Sequence, residues 1–306
     1  MSEPSFGVVL VNWNGCDDTE RALDSLLAAT PRPAHVVVVD NGSVDDSVAR
    51  LREWAAAHEP QPAAPVPWLS VIAEPANRGF AGGNNIGLAL LARFPVTHFL
   101  LLNNDAMVAE DYFARIGDAL RSNPDAALVG CAIYYHPDRD RVWFAGGREV
   151  PMRALMLHQY EMPESMEPQE TPFVTGCAML ISRALYAAEG GLAECYNPIY
   201  WEDTDYSHRA RTRGWRVMLV PRAKVFHRVG SSFGGERITP PVAFWQNRNR
   251  GYYVRRNYRG FDRVAAISYL VLTKPAKAVL ELMRGRPAMA SAIIRGFAHG
   301  LTADCS

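Results

Sequence analysis

The apolar run Phe99-Leu100-Leu101-Leu102 ends abruptly in Asn103-Asn104-Asp105. Such a run reads as a buried parallel strand, and ligands in open α/β sheets bind beyond the carboxyl ends of strands. Two amides and a carboxylate delivered there could hold a divalent cation and the phosphates it neutralises. Asn and Asp are also ordinary turn residues. A plain turn therefore stands as the alternative, and the neighbouring clusters must decide.

Two more strand ends carry polar clusters. Asp40-Asn41-Gly42-Ser43 closes the β-branched run at 35–39. A carboxylate there can accept from a nucleobase imide or a ribose hydroxyl, and Gly42 permits close backbone approach. The structural alternative is an Asx turn with Ser43 or Asp45 capping the next helix. Val11-Asn12-Trp13-Asn14-Gly15 ends the first strand with an aromatic between amides, so Trp13 could stack on a base or serve the core. In Asn77-Arg78-Gly79-Phe80-Ala81-Gly82-Gly83-Asn84-Asn85-Ile86-Gly87, four glycines surround a helix start. That arrangement brings backbone N–H groups and a guanidinium to phosphate or base. It contains neither G-x-x-x-x-G-K-S/T nor G-x-G-x-x-G, which argues against a P-loop NTPase and a dinucleotide dehydrogenase.

Tyr200-Trp201-Glu202-Asp203-Thr204-Asp205 opens a helix. Acids in a first turn complement the helix dipole, and Asp205 has the i,i+4 spacing of an ion pair with Arg209. Helix energetics thus account for Glu202 and Asp205. Asp203 faces elsewhere and is the candidate general base. His227 ends a strand and precedes the loop at 228–232. A lone His is usually structural, but this one terminates a strand as Asp105 does, so a shared metal is a candidate reading.

The elements that must position these groups alternate. Strands are predicted at 6–11, 35–39, 68–73 and 97–102, with helices at 19–29, 45–58 and 82–93. This rhythm implies βαβ units and a mainly parallel sheet. The Pro-rich segment 59–67 reads as a loop. A helix at 112–121 and a strand at 127–133 follow. The pattern then weakens over 134–171, a long irregular excursion that could serve as a substrate lid. Order returns with a strand at 173–182, helices at 183–189 and 201–213, and short strands at 217–220 and 224–227.

With 306 residues, 48% hydrophobic and 21% charged, the chain is ordinary for a globular protein. Its formal net charge of zero conceals a split: between Arg248 and Arg295 eleven Lys or Arg face two acids, Asp262 and Glu281. Such a segment suits an anionic surface, phospholipid or a phosphorylated ligand. Cys16, Cys131, Cys177, Cys195 and Cys305 are odd in number and widely spaced without C-x-x-C, which predicts free thiols in a reducing cytoplasm. The opening residues show no signal-peptide pattern, and no run reaches the ~18 apolar residues of a membrane span.

In order, these pieces resemble the family-2 glycosyltransferases, inverting enzymes with the GT-A fold, over about residues 6–234. V-N-W-N-G, D-N-G-S and N-R-G-F-A-G-G-N-N-I-G look like that family's nucleotide-binding half. L-L-N-N-D-A stands in the place of its metal-binding D-x-D, and T-G-C-A-M-L-I-S-R with W-E-D-T-D-Y-S-H-R looks like its acceptor side. N-N-D points to the rhamnosyltransferase-like branch, whose donors are dTDP-rhamnose and related sugars. The resemblance implies an α/β GT-A fold: a mainly parallel sheet flanked by helices, in a domain at 1–236 with halves at 1–105 and 106–236. A basic, aromatic, helical extension occupies 237–306.

The resemblance also implies the site. Val11, Asn12, Trp13, Asp40, Asn77, Arg78, Gly79, Asn85, Asn103 and Asn104 would hold the nucleoside-diphosphate sugar. Asp105 and His227 would ligate Mg²⁺ or Mn²⁺. Thr175, Gly176, Trp201 and Glu202 would line the acceptor side, and Asp203 would deprotonate a hydroxyl of a glycan or lipid-linked acceptor. One departure matters: Asn103 leaves a single carboxylate where D-x-D has two, which predicts weaker metal binding.

In the C-terminal segment, cations and aromatics interleave at 247–258. An apolar stretch at 264–272, stopped by Thr273-Lys274-Pro275, precedes an amphipathic one at 276–283. Helices with basic flanks can lie in a membrane surface. They can equally pack on the catalytic domain or a second subunit as a homodimer. No nucleic-acid recognition motif accompanies the charge. A cytoplasmic enzyme at the inner face of the plasma membrane is expected. A sugar-nucleotide pyrophosphorylase and an inactive glycan-assembly scaffold are the competing functions.

Overall fold

The computed structural model describes residues 3–60, 67–228 and 238–305. The loop after Arg228, the boundary at 236/237 and most of the Pro-rich segment lie outside the described residues. The first half is βαβ as predicted: β1 (Phe6–Asn12), α1 (Cys16–Ala28), β2 (His35–Asp40), α2 (Ser47–Ala57), β3 (Leu69–Ala73), α3 (Gly79–Leu91) and β4 (His98–Asn103). In the sheet, β3, β2, β1 and β4 lie side by side and parallel. Side chains alternate between its faces. Val8, Leu10, Val36 and Val38 meet Leu23, Leu26 and Leu51 on one side. Val9, Val37, Val39 and Leu101 meet Leu88 and Leu91 on the other. Burial on both faces is why the strands read as unbroken apolar runs.

The register sets Asn12 opposite Asp40 and Val11 opposite Asn103, so three polar strand ends share one edge of the sheet. After Asp105 come β5 (Ala106–Val108), α4 (Tyr112–Ser122) and the long β6 (Ala126–Tyr135). The stretch read as irregular contains four short strands: β7 (Val142–Phe144), β8 (Gly147–Val150), β9 (Leu155–His158) and β10 (Gln169–Glu170). β7 extends the sheet beside β6, while β8 and β9 form a separate hairpin. Strands this short offer too few residues for an alternation to show.

β11 (Ala178–Ser182) runs antiparallel between β4 and β6, followed by α5 (Arg183–Glu189) and α6 (Glu202–Thr212). The two short strands expected near 217 and 227 are one, β12 (Arg216–His227), with an irregularity between Val220 and Lys224. Pro221 lies in that gap and has no N–H for the ladder.

Three helices complete the described chain: α7 (Pro240–Asn257), α8 (Gly260–Met283) and α9 (Pro287–Thr302). Pro275 does not divide α8 as expected. It is exposed, while Ala266, Leu270, Lys274 and Ala278 hold the opposite face on both sides of it. α7 and α9 cross so closely that a Cβ on Gly251 would fall 2.7 Å from the backbone of Gly300. Two thiols expected to be free are joined: Cys195 and Cys305 form a disulfide, their Cα atoms 5.2 Å apart. Helix packing unites residues 110 positions apart, a pairing that spacing alone does not reveal. Cys16, Cys131 and Cys177 are free and buried. Among the described residues, no helix is long and apolar enough to cross a membrane.

Candidate active site

At the sheet edge, the end of β2 is locked to the end of β1. The Asp40 carboxylate is buried and accepts from the Asn12 amide at 2.7 Å, the Ser43 hydroxyl at 2.7 Å and the Ser43 N–H at 3.0 Å. The Asx turn and the candidate ligand are therefore one device. The chain of bonds continues: Thr19 donates to the Asn12 side-chain oxygen at 2.8 Å and accepts from Asn104 at 3.1 Å. Asn104 is thus tied to the strand-one turn. Trp13 projects from that turn and is about half exposed, with its indole available for stacking.

The glycine-rich turn is fastened to the same edge. The Asn41 amide donates to the Asn77 side chain at 3.0 Å and the Gly79 carbonyl at 3.1 Å, and its oxygen accepts from the Arg78 N–H at 2.9 Å. Gly42, at φ +78°, stands where a Cβ would meet the Ala76 carbonyl carbon at 2.7 Å. Arg78 is exposed and donates its Nε–H to Glu74 at 2.8 Å. Asn85 sits apart from this group. It donates to the Leu192 carbonyl at 2.9 Å and accepts from the Leu192 N–H at 2.8 Å, bracing the segment before α6.

Asp105 and His227 meet because β5 pairs antiparallel with β12, setting Ala106 opposite His227. Both side chains are buried, and His227 Nε2 lies 3.0 Å from Asp105 Oδ1. His227 Nδ1 is buried without a hydrogen-bond partner among the described residues, and Trp143 stands edge-on to the ring at 4.8 Å. A carboxylate oxygen and an imidazole nitrogen are donors that suit Mg²⁺ or Mn²⁺, so Asp105 and His227 would hold such an ion, which would supply charge stabilisation. Among the described residues no cluster of three His, Cys, Asp or Glu could hold a metal.

The candidate acceptor wall adjoins this pair through the backbone. The Asn103 N–H donates to the Cys177 carbonyl at 2.9 Å, and the neighbouring Gly176 N–H donates to Asp203 Oδ2 at 2.9 Å. Asp203 Oδ1 accepts from the Thr204 N–H at 2.6 Å. Thr175 is buried beside them, its hydroxyl accepting from the Cys177 N–H at 3.4 Å. A second link is aromatic: Trp143 stands edge-on to both His227 and His158. Burial holds the His158 imidazole below its ordinary pKa against the opposing Asp203 charge. Burial raises the Glu202 carboxyl well above the carboxylate range, and the Asp203 charge pushes the same way.

Tyr200 and Trp201, just before α6, hold φ of +70° and +87°. Non-glycine residues there each cost on the order of 1 kcal/mol or more and persist only where surroundings over-determine them. α7 does so: the buried Asn249 amide donates to the Ile199 carbonyl at 2.7 Å, the Tyr200 carbonyl at 3.1 Å and the Tyr196 carbonyl at 2.5 Å. Trp201 packs on Tyr253. Asp205 is fully buried and is more than an i,i+4 partner of Arg209. It also accepts from Tyr196 at 3.0 Å and Asn257 at 2.8 Å, and pairs with Arg256 at 3.2 Å. A cleft of about 670 Å³ at the other end of α6, between Arg211 and Arg259, contains none of the predicted site residues.

The sequence profile of glycosyl transferase family 2 matches residues 7–189, a stretch running from β1 through α5. The chain belongs to this family. It is an enzyme of the glycosyltransferase class with a GT-A fold. N-acetylglucosaminyl-diphospho-decaprenol L-rhamnosyltransferase of Mycobacterium tuberculosis is 27% identical over 319 residues, covering 91% of this chain and 98% of its own. A Pyrobaculum calidifontis mannosyltransferase solved with GDP-Man and Mn²⁺ superposes with TM-score 0.58 at 17% identity, covering 99% of this chain and 88% of that one. TarS 1-349 of S. aureus, solved with UDP-GlcNAc, gives 0.60 at 14%, covering 96% and 81%.

In this glycosyltransferase, Ser43 and four residues the sequence left unmarked do the positioning. Ser43 and Thr19 complete the Asp40 network. Trp143 packs between His227 and His158, and Asn249 holds the turn before Glu202. Ser43 was legible as part of D-N-G-S. The other four carry no local signal: Thr19 reads as an ordinary helix residue, and the partners of Trp143, His158 and Asn249 lie elsewhere along the chain.

Proposed function

We propose that this transferase moves a deoxyhexose, with rhamnose the first candidate, from a nucleoside-diphosphate donor to a hydroxyl of a lipid-diphosphate-linked glycan. The observation that carries the reading is the backbone bridge from Asn103 through Cys177 and Gly176 to Asp203. It sets the candidate base against the strand end that bears Asp105. The Mycobacterium tuberculosis relative supports the sugar and the lipid-linked acceptor by its name.

Asp203 would take the proton of the attacking hydroxyl as that oxygen approaches the anomeric carbon opposite the leaving nucleotide. The two backbone N–H groups on its carboxylate keep the base oriented. Glu202, with its carboxyl raised, places less charge beside that base. On the donor side, Trp13 would stack on the base and the Asp40 turn would set the ribose, with Arg78 near the diphosphate. Mg²⁺ or Mn²⁺ held by Asp105 and His227 would stabilise the charge on the departing diphosphate. An enzyme using such an acceptor would work at the inner face of the plasma membrane.

The test is transfer from dTDP-rhamnose and UDP-sugars to a short-chain lipid-diphosphate acceptor. After chelation, activity should return on titrating Mn²⁺, at higher metal concentration than a two-carboxylate site needs. Full turnover without metal would remove Asp105 and His227 from that role. Donor binding that is tight for UDP-GlcNAc and absent for dTDP-rhamnose would remove rhamnose.

A further inference from the structure

α8 presents a face that the rest of the chain leaves uncovered. Its 24 residues span about 36 Å at 1.5 Å per residue. Ala266, Leu270, Lys274, Ala278 and Glu281 turn inward. On the opposite side Phe261, Val264, Val271, Leu272, Val279 and Met283 follow the helical period and stay exposed, Phe261 at 73%, Leu272 at 74% and Met283 at 80%. Between them on the same face come Ala265, Ser268, Pro275, Ala276 and Leu282. The stripe therefore carries no charge over its whole length. An uncharged surface this long marks a contact with another body.

Charge selects the body. Arg259 and Arg263 flank one end of the stripe with the exposed Asp262 between them, and Arg284 and Arg286 flank the other, beside the buried Glu281. Glu281 holds Arg284 at 3.2 Å and Arg286 at 2.8 Å, yet both guanidiniums remain about half exposed. Each end keeps a net positive charge, so two copies paired along this stripe, in either direction, would set like-charged ends against each other. An anionic bilayer receives both ends favourably and accepts the apolar stripe between them. We infer that the outer face of α8 docks in the plane of an anionic membrane surface, with Phe261, Leu272 and Met283 entering the acyl boundary.

Docking there would fix the catalytic helix relative to the lipid. The inner face of α8 packs with Tyr252 and Tyr253 of α7, and α7 holds the turn into α6 through Asn249. The inference stands apart from the reaction proposed above, because binding is read without donor or acceptor.

The full chain is floated with vesicles of 7:3 phosphatidylcholine to phosphatidylglycerol (about 30% anionic lipid) and with phosphatidylcholine alone. Expected are recovery with the anionic vesicles, weaker recovery with neutral ones, and loss of binding as salt rises. The pair L272D and V279D, on exposed positions, should lower vesicle affinity about tenfold or more with an unchanged thermal midpoint. Equal flotation of wild type and variant would overturn the proposal, as would failure of the wild type to bind anionic vesicles. Sedimentation in the absence of lipid adds a further check. A wild-type dimer that the variant dissociates would assign the stripe to a second copy instead.

Discussion

At the candidate donor edge, Asp40 is held by its own turn and by the neighbouring strand β1, through Ser43 and Asn12. At the candidate acceptor wall, the turn into α6 is held from about fifty residues further along the chain, by Asn249 on α7. The first arrangement is local and satisfied within a parallel sheet. The second depends on a helical layer that belongs to no βαβ unit. The contrast teaches that the C-terminal helices shape the turn into α6 as directly as the sheet shapes the Asp40 turn. They clamp two left-handed residues, Tyr200 and Trp201, immediately before the candidate base.

The sharpest way to separate the two regions is to remove the base alone. Asp203→Asn keeps an acceptor for the Gly176 N–H and should lower kcat about 10²–10⁴-fold. Donor KM should stay unchanged, as single-turnover assays and donor titration would show. Wild-type turnover in this variant would mean that the base lies elsewhere. Next in size is Asn249→Ala. It removes the two N–H donors shared by the carbonyls of Tyr196, Ile199 and Tyr200, the first two bonds buried, at about 1–3 kcal/mol for each donor, or a loss of about 4 kcal/mol. Urea unfolding measures that loss. The same variant should reduce kcat while donor binding holds. Impaired donor binding would erase the distinction between clamp and donor edge.

How far these regions were legible follows from the range of their interactions. Val8, Val9 and Leu10 are buried against two different cores, so their run announced a central strand. The polar strand ends announced themselves because an amide or carboxylate closing an apolar run is costly unless it is used. His227 could be linked to Asp105 by its place at a strand end. Asn249 could not be read: an Asn inside a helix has no periodic signature, and its carbonyl partners lie about fifty residues away. The Cys195–Cys305 pair and Trp143 were hidden for the same reason. Pro275 misled because the rule that proline ends helices is local, whereas packing on both sides of it is not.

A third experiment probes the helical layer by pH. Lys274 is buried, and burial pushes its amine down to about 7, with Arg250 and Lys277 pushing the same way. A base whose folded pKa is depressed binds its proton more tightly when unfolded. Its burial therefore destabilises the fold fully below about pH 7, and the penalty fades as pH rises toward the unfolded value of 10.5. Lys274→Met should stabilise the protein at pH 7 by up to about 4 kcal/mol. The advantage over wild type should shrink by about 1.4 kcal/mol per pH unit above that. Paired urea melts at three pH values would show it. An advantage constant with pH would mean that Lys274 stays charged in the fold.

The smallest expected change tests the donor edge from its own side. At Gly42, φ is +78°, and a Cβ would lie 2.7 Å from the carbonyl carbon and 2.8 Å from the Cα of Ala76. Those are backbone atoms of the turn that Asn41 fastens through Asn77 and Arg78, so they cannot retreat without loosening it. The left-handed conformation costs a β-carbon about 1–2 kcal/mol. With the close contact added, Gly42→Ala should destabilise by about 2 kcal/mol or slightly more. Because the displaced turn carries Arg78 and adjoins Asp40, donor KM should rise while kcat at saturating donor is kept. A fall in kcat with donor KM unchanged would show that strain at the sheet edge reaches Asp203 through Asn103 and Cys177, and the two regions would then act as one.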